Sequence, residues 1–257
     1  MNRYYKEYGN TEGEILLFIH GGGVDAWMWE QQIPNFNEYH VLVPTLQGHG
    51  ARSGDSRFSI HENAAELLEL LAQKEQGKPV HIVGFSIGAQ ICLEMIRLSP
   101  NLIHSAMINS ALAKPMNYAV PFIKPMISLT YPLIQNRQFA RLQARQLYVD
   151  GEYFEQYYTA TKKMNSRILT EMLQENLSFS LPVNLESSTT RLLASVGTKE
   201  TRQVKDSALR LAQLSNCQSI LISDMGHGFP VAQPDMFNRM LSQWIQDNIH
   251  ASNKLLY

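Results

Sequence analysis

The chain is predicted to be an α/β protein, with a mainly parallel central sheet flanked by helices and a helical segment set into it. Three observations predict this. Short apolar runs alternate with helical ones over residues 15–111, the pattern of parallel strands covered on both faces. The alternation stops between about residues 112 and 188 and then resumes. In the first stretch, Gly84-Phe85-Ser86-Ile87-Gly88 sets a serine between two glycines where a strand-like run meets a helix-like one.

Taken in order, Ile15-Leu16-Leu17-Phe18-Ile19 is apolar throughout, as a buried strand or a piece of core helix would be. His20-Gly21-Gly22-Gly23 ends it. A loop without side chains can bring a backbone amide up to a substrate carbonyl, although an ordinary glycine-rich turn has the same composition. Val41-Leu42-Val43 reads as a strand, and the loop after it carries His49 in Gly48-His49-Gly50, a histidine suited to structural hydrogen bonds. Ile60, Ala64, Leu67, Leu68 and Leu71 form one helix face. Val80-His81-Ile82-Val83, after Pro79, is a short β-branched run suited to a buried strand, and a helix follows through Ile91, Cys92, Met95 and Ile96.

The serine between them reads as a nucleophile. A tight strand-to-helix turn strains the backbone at Ser86, and Gly84 and Gly88 remove side chains that would collide there. The turn lifts the hydroxyl above the sheet and points helix N-terminal amides at any oxyanion formed beside it. A five-residue pattern with two glycines also arises by chance, so its weight comes from what surrounds it.

The segment after Met107-Ile108-Asn109-Ser110-Ala111 is rich in aromatic residues and methionine, from Tyr118 to Met172, and prolines at 115, 121, 125 and 132 are expected to break its first part into short pieces. Leu192-Leu193-Ala194-Ser195-Val196 reads as a strand, followed by Gly197-Thr198-Lys199-Glu200 and a helical pattern over Thr201 to Leu214. Ser219-Ile220-Leu221-Ile222 is a last strand. Met225-Gly226-His227-Gly228-Phe229 then holds a histidine between glycines on a loop, which makes His227 the general-base candidate among eight histidines. An acid must orient it, and Glu200 fits by its place after a strand. Glu200 also suits a helix N-terminus, and Asp206, within the predicted helix, is the alternative. Met236, Met240, Leu241 and Trp244 form the final helix face.

The order Ser86, Glu200, His227, behind a glycine-rich loop, resembles the α/β-hydrolase superfamily, whose triad runs serine, acid, histidine. Leu42-Val43-Pro44-Thr45-Leu46-Gln47-Gly48-His49-Gly50 with Ser53 is similar to a segment that these enzymes write with aspartate where Thr45 stands. Trp27 and Trp29 follow the glycine loop as in many members, and Gln233-Pro234 resembles the helix start after the catalytic histidine. The resemblance implies a helical cap, residues 112–188, inserted after the sixth strand into a body of residues 1–111 and 189–257. It further implies oxyanion donors at Gly22 and Ile87, and substrate contacts at Gly23, Trp27, Phe85 and Phe229. The expected activity is that of a serine hydrolase cleaving a carboxylic ester of a small, moderately apolar substrate. Thioester, lactone or carbon–carbon bond hydrolysis, or a ligand-binding module with vestigial turnover, are the alternatives. A serine in the elbow argues against dehalogenases and epoxide hydrolases, which place an aspartate there.

Composition narrows partners and compartment. At 257 residues the chain allows one or two domains. A net charge of -1 offers no basic face for nucleic acid. Cys92 and Cys217 fall in apolar contexts and are expected to be reduced core residues. No cofactor or metal is expected. The first residues lack an apolar leader and no run reaches membrane-spanning length, so a cytoplasmic monomer or homodimer that does not engage membranes is expected.

Overall fold

The computed structural model describes residues 4–246. Seven strands, β1 (Tyr5–Gly9), β2 (Ile15–Ile19), β3 (His40–Pro44), β4 (Val80–Phe85), β5 (Ser105–Asn109), β6 (Arg191–Gly197) and β7 (Cys217–Ile222), form one sheet in the order β1-β3-β2-β4-β5-β6-β7. All neighbours run parallel except β1, which lies antiparallel on β3 with Tyr5 opposite Pro44. Central strands buried on both faces need no polar side, which is why β2 reads as an unbroken apolar run and β4 as one interrupted only by His81, whose ring is hydrogen-bonded to Ser105 and Glu14.

Side chains alternate across that sheet and feed two cores. Ile15, Leu17, Ile19, Ile82, Ala106 and Leu192 face α1 (Ile60–Lys74) and α2 (Ile87–Leu98). Leu16, Phe18, Val83, Met107 and Leu193 face the Trp29 and Phe36 side chains and α9 (Pro234–Ile245), whose Phe237, Met240, Leu241 and Trp244 are buried. α7 (Arg202–Leu211) links β6 to β7, and the short α8 (Phe229–Ala232) precedes α9.

Between β5 and β6 the chain forms α3 (Val120–Ile134), α4 (Arg137–Gln146), α5 (Gly151–Lys163) and α6 (Ser166–Ser178). Two expectations are corrected here. The insertion follows the fifth strand of the described chain and not the sixth, because a single antiparallel edge strand precedes β2. The prolines do not break its first part into short pieces, since α3 runs through Pro125 and Pro132. Pro121 occupies the first turn, where its missing N–H has no intrahelical partner to lose, and each later proline removes one backbone bond from a helix that retains the rest.

The insertion also supports the body. Glu171 and Glu175 of α6 accept from the backbone N–H of Phe58 (2.9 Å), just before α1, and of Ile60 (2.5 Å), its first residue. Both thiols are free; Cys92 is buried, Cys217 partly so, and burial pushes their pKa values up.

Candidate active site

β4 ends at Phe85 and α2 begins at Ile87, so the whole turn falls on Ser86, whose φ of 56° and ψ of −117° lie outside the ordinary regions. A Cβ on Gly84 would stand 2.4 Å from the carbonyl oxygen of Gly88, and one on Gly88 would stand 2.5 Å from those of Ile19 and His20. These are backbone approaches that no rotamer change relieves. The Ser86 amide donates to the Asn109 carbonyl (2.9 Å), which ties the turn to β5. Ile87 supplies the first amide of α2, a position with no intrahelical acceptor.

The Ser86 Oγ lies 3.0 Å from His227 Nε2, and His227 Nδ1 lies 3.1 Å from Glu200 Oε2. Glu200 stands on the loop after β6 and its side chain is only 3% exposed, whereas that of His227 is 32% exposed. The two loops are pressed together at Gly197, where a Cβ would meet the Met225 carbonyl oxygen at 2.1 Å. Lys199 N–H donates to Met225 O (2.8 Å) and Asp224 N–H to Thr198 Oγ1 (2.9 Å). Asp206, the alternative acid, pairs instead with Lys114 at 3.2 Å.

The glycine loop is held by two buried histidines. His20 Nε2 accepts from Leu46 N–H (3.1 Å) and its Nδ1 faces the Gly21 carbonyl (2.8 Å). His49 repeats the arrangement, with Nε2 accepting from Gly23 N–H (3.2 Å) and Nδ1 facing the Gln47 carbonyl (2.8 Å). Each ring is therefore neutral with its proton on Nδ1. Burial holds the His20 pKa below its usual value and, chiefly through burial and the neighbouring His20, pushes that of His49 down to about 3. Asp25 accepts from Thr45 Oγ1 (3.0 Å) and Ala26 N–H (2.7 Å), so Thr45 keeps a carboxylate beside the loop although it carries none itself. Gly22 lies beside Ile87, whose Cγ2 is 3.7 Å from the ideal Cβ position of the glycine, and against Met172 of α6.

A cleft of about 290 Å³ opens beside Ser86 and His227, and its walls include Ser110, Leu112, Met116, Asn176 and Val204. None of the four residues expected to touch substrate lines it. Gly23 gives its amide to His49, Trp27 stacks on Tyr153 with centroids 5.9 Å apart, and Phe229 is buried against Phe237. Phe85 packs on the His227 ring at 4.9 Å. The walls come from the insertion, the loops after β5 and β6, and the start of α7. Proximity in sequence to the serine, the glycine loop or the histidine does not predict them.

Sequence reasoning passed over two residues. Ser110 adopts φ 55° where β5 stops, and its buried Oγ has no hydrogen-bond partner. Tyr148, between α4 and α5, accepts from the Gly226 N–H through its hydroxyl (2.9 Å) and so holds the loop of His227. A polar residue directly after a strand was a usable signal for the first, whereas nothing local marks the second. A larger hollow of about 770 Å³ lies between α1 and the β1 edge, away from Ser86, and its Arg52, Glu66 and Lys74 are engaged in ion pairs. Among the described residues no group of three His, Cys, Asp or Glu could hold a metal ion.

Comparison with known proteins agrees with the architecture. A sequence model of the Alpha/beta hydrolase family matches residues 16–240. An AB hydrolase superfamily protein of Gibberella zeae is 24% identical over 248 residues, covering 94% of this chain and 83% of the relative. Lipase 1 of Psychrobacter immobilis is 24% identical over 241 residues, 87% of this chain and 74% of its own. The crystal structure of a hydrolase from Pseudomonas aeruginosa superposes with a TM-score of 0.79 at 17% identity, covering 94% of this chain and 93% of that one.

Proposed function

The chain belongs to the Alpha/beta hydrolase family, and on that premise we propose that it is a serine hydrolase that cleaves a carboxylic ester of a small, moderately apolar substrate. The observation that carries the reading is the run of hydrogen bonds from Ser86 Oγ through His227 to Glu200, at 3.0 and 3.1 Å, on a turn that sets the hydroxyl against the histidine.

In this reading His227 Nε2 takes the Ser86 proton as Oγ attacks the ester carbonyl carbon. The tetrahedral oxyanion accepts hydrogen bonds from the Gly22 and Ile87 amides. Such donors act because they are already in place when charge develops, and each is worth on the order of 100-fold in rate. The intermediate collapses as His227 returns the proton to the leaving alkoxide. A water then gives its proton to His227 and attacks the acyl-enzyme, and Ser86 leaves with that proton. Glu200 holds the ring with Nδ1 protonated and stabilises the imidazolium. Leu112, Met116, Leu177 and Val204 share the cleft wall with Ser110, Asn176, Thr201 and Gln203, which suits a modest, partly apolar acyl or alkyl group, and the lipase relative supports an ester as the bond attacked. Residues 112–188 act as the cap over a body of residues 1–111 and 189–257, with Met116 and Asn176 presented to the substrate.

The test is labelling with a fluorophosphonate at neutral pH, read by intact mass on the parent, Ser86→Ala and His227→Ala proteins. One adduct on the parent and none on either variant is expected. A folded parent that takes up no adduct would overturn the reading.

A further inference from the structure

Tyr118, Phe122, Met126, Leu129 and Leu133 recur every three or four residues, a spacing that puts them on one side of a helix. In α3 the last four lie on the side that faces solvent, with Tyr118 in the turn just before the helix, and the five residues are 71, 70, 45, 80 and 46% exposed. The inward side, with Ile123 and Ile127 buried, packs on α6. A continuous exposed apolar stripe of this size marks an interaction surface.

Charge identifies what it meets. Residues 95–149 contain no aspartate or glutamate but six lysines and arginines, in a chain whose net charge is -1; Arg97, Lys114 and Arg137 pair with Glu94, Asp206 and Glu155, which leaves Lys124, Arg141 and Arg145. Lys124 of α3 and Arg145 of α4 are exposed and carry no ion pair among the described residues, and α4, which packs on α3, adds Arg141 and the 56% exposed Leu142. Of the neighbouring acids, Glu155 of α5 pairs with Arg137 and lies near Arg141, while Glu171 and Glu175 of α6 are turned to the body, where they accept from the amides at the start of α1. A second copy seated on this face would set cations against cations. An anionic bilayer accepts both the apolar stripe and the charge.

Against the sequence expectation that the chain does not engage membranes, we infer that the outer face of α3, with the cations of α4, is a docking surface for membranes rich in anionic phospholipid. Residues 112–118 run from the cleft wall at Leu112 and Met116 to the start of the stripe at Tyr118, so docking sets the cleft beside the lipid surface. The contact is peripheral, since no helix among the described residues is long and apolar enough to cross a membrane.

The test is flotation of the full chain with vesicles of phosphatidylcholine alone and of phosphatidylcholine mixed with phosphatidylglycerol. The parent is compared with a Phe122→Ser/Leu129→Ser variant and a Lys124→Glu/Arg145→Glu variant. The parent is expected to float with the phosphatidylglycerol vesicles, and each variant to bind them at least about tenfold more weakly. Both variants should keep the parent's melting temperature and its fluorophosphonate labelling, a readout that is independent of vesicle binding. Failure of the parent to float, or flotation equal to that of the variants, would overturn the inference. So would a concentration-dependent dimer of a parent that does not float, dissolved by Phe122→Ser/Leu129→Ser, which would assign the face to a second copy.

Discussion

Ser86 shows at a single residue how strain and chemistry meet. Its left-handed φ is sustained because the Asn109 carbonyl, β4 and α2 all hold it, and the same turn sets the hydroxyl against His227. Glu200 reaches Nδ1 from a loop whose position depends on Gly197, and its burial removes the water that would compete for the ring. Glu200→Gln, which can present the wrong hydrogen-bonding group to Nδ1, is expected to lower kcat on the order of 1,000-fold or more while the protein stays folded. Steady-state hydrolysis of a model ester with circular dichroism decides this, and a loss of only a few-fold would return attention to Asp206. Ser110 bears on binding. Ser110 lines the cleft and its buried hydroxyl has no hydrogen-bond partner, so a rotation that turns it to substrate makes Ser110→Ala raise KM about five- to tenfold for an ester with a polar group near the carbonyl. For a purely aliphatic ester KM should be unchanged, and equal effects on the two would refute the contact.

At the scale of elements, the decisive feature is how closely β2, β4 and α2 approach one another. Gly84 and Gly88 permit backbone contacts that a methyl group would fill, and no flexible side chain stands there to yield. Gly84→Ala is therefore expected to cost about 3 kcal/mol of stability, measured as a lowered urea midpoint, whereas an alanine at the exposed Gly54, with nothing within 4 Å, should leave it near the parent value. Much of this element structure was legible in the chain itself. The apolar runs of β2 and β4, the glycine-flanked serine and the helix faces of α1 and α9 are contiguous patterns, readable because hydrophobic period and glycine placement are local. The course of α3 was not legible, because three prolines argue locally for breaks and only packing of Ile123 and Ile127 on α6 outweighs the lost backbone bonds.

At the scale of the whole molecule, the buried histidines tie stability to pH. In the unfolded chain His49 takes up a proton near pH 6.5, whereas in the fold it stays neutral down to about 3. The unfolded state thus binds more protons in that window, and stability should fall as pH drops from 7 toward 5, with His20 acting in the same sense. Glu175 opposes this, since burial raises its pKa and its protonation favours the fold. Urea midpoints at pH 7 and pH 5 for the parent and His49→Gln separate these effects, and the variant is expected to lose less on acidification. A parent and variant that shift equally would remove His49 from the account. The sequence by itself determined the α/β class, the strands and helices of the body from β2 onward but not the edge strand β1, and the candidate serine and histidine, because each is marked by residues adjacent in the chain. Only the tertiary structure decided that Glu200 and not Asp206 faces His227, that Ser110 lines the cleft, that Tyr148 braces the histidine loop, and that α3 turns its apolar side to solvent. Those relations join segments tens of residues apart, and the distances between them exist only once sheet and insertion have packed together.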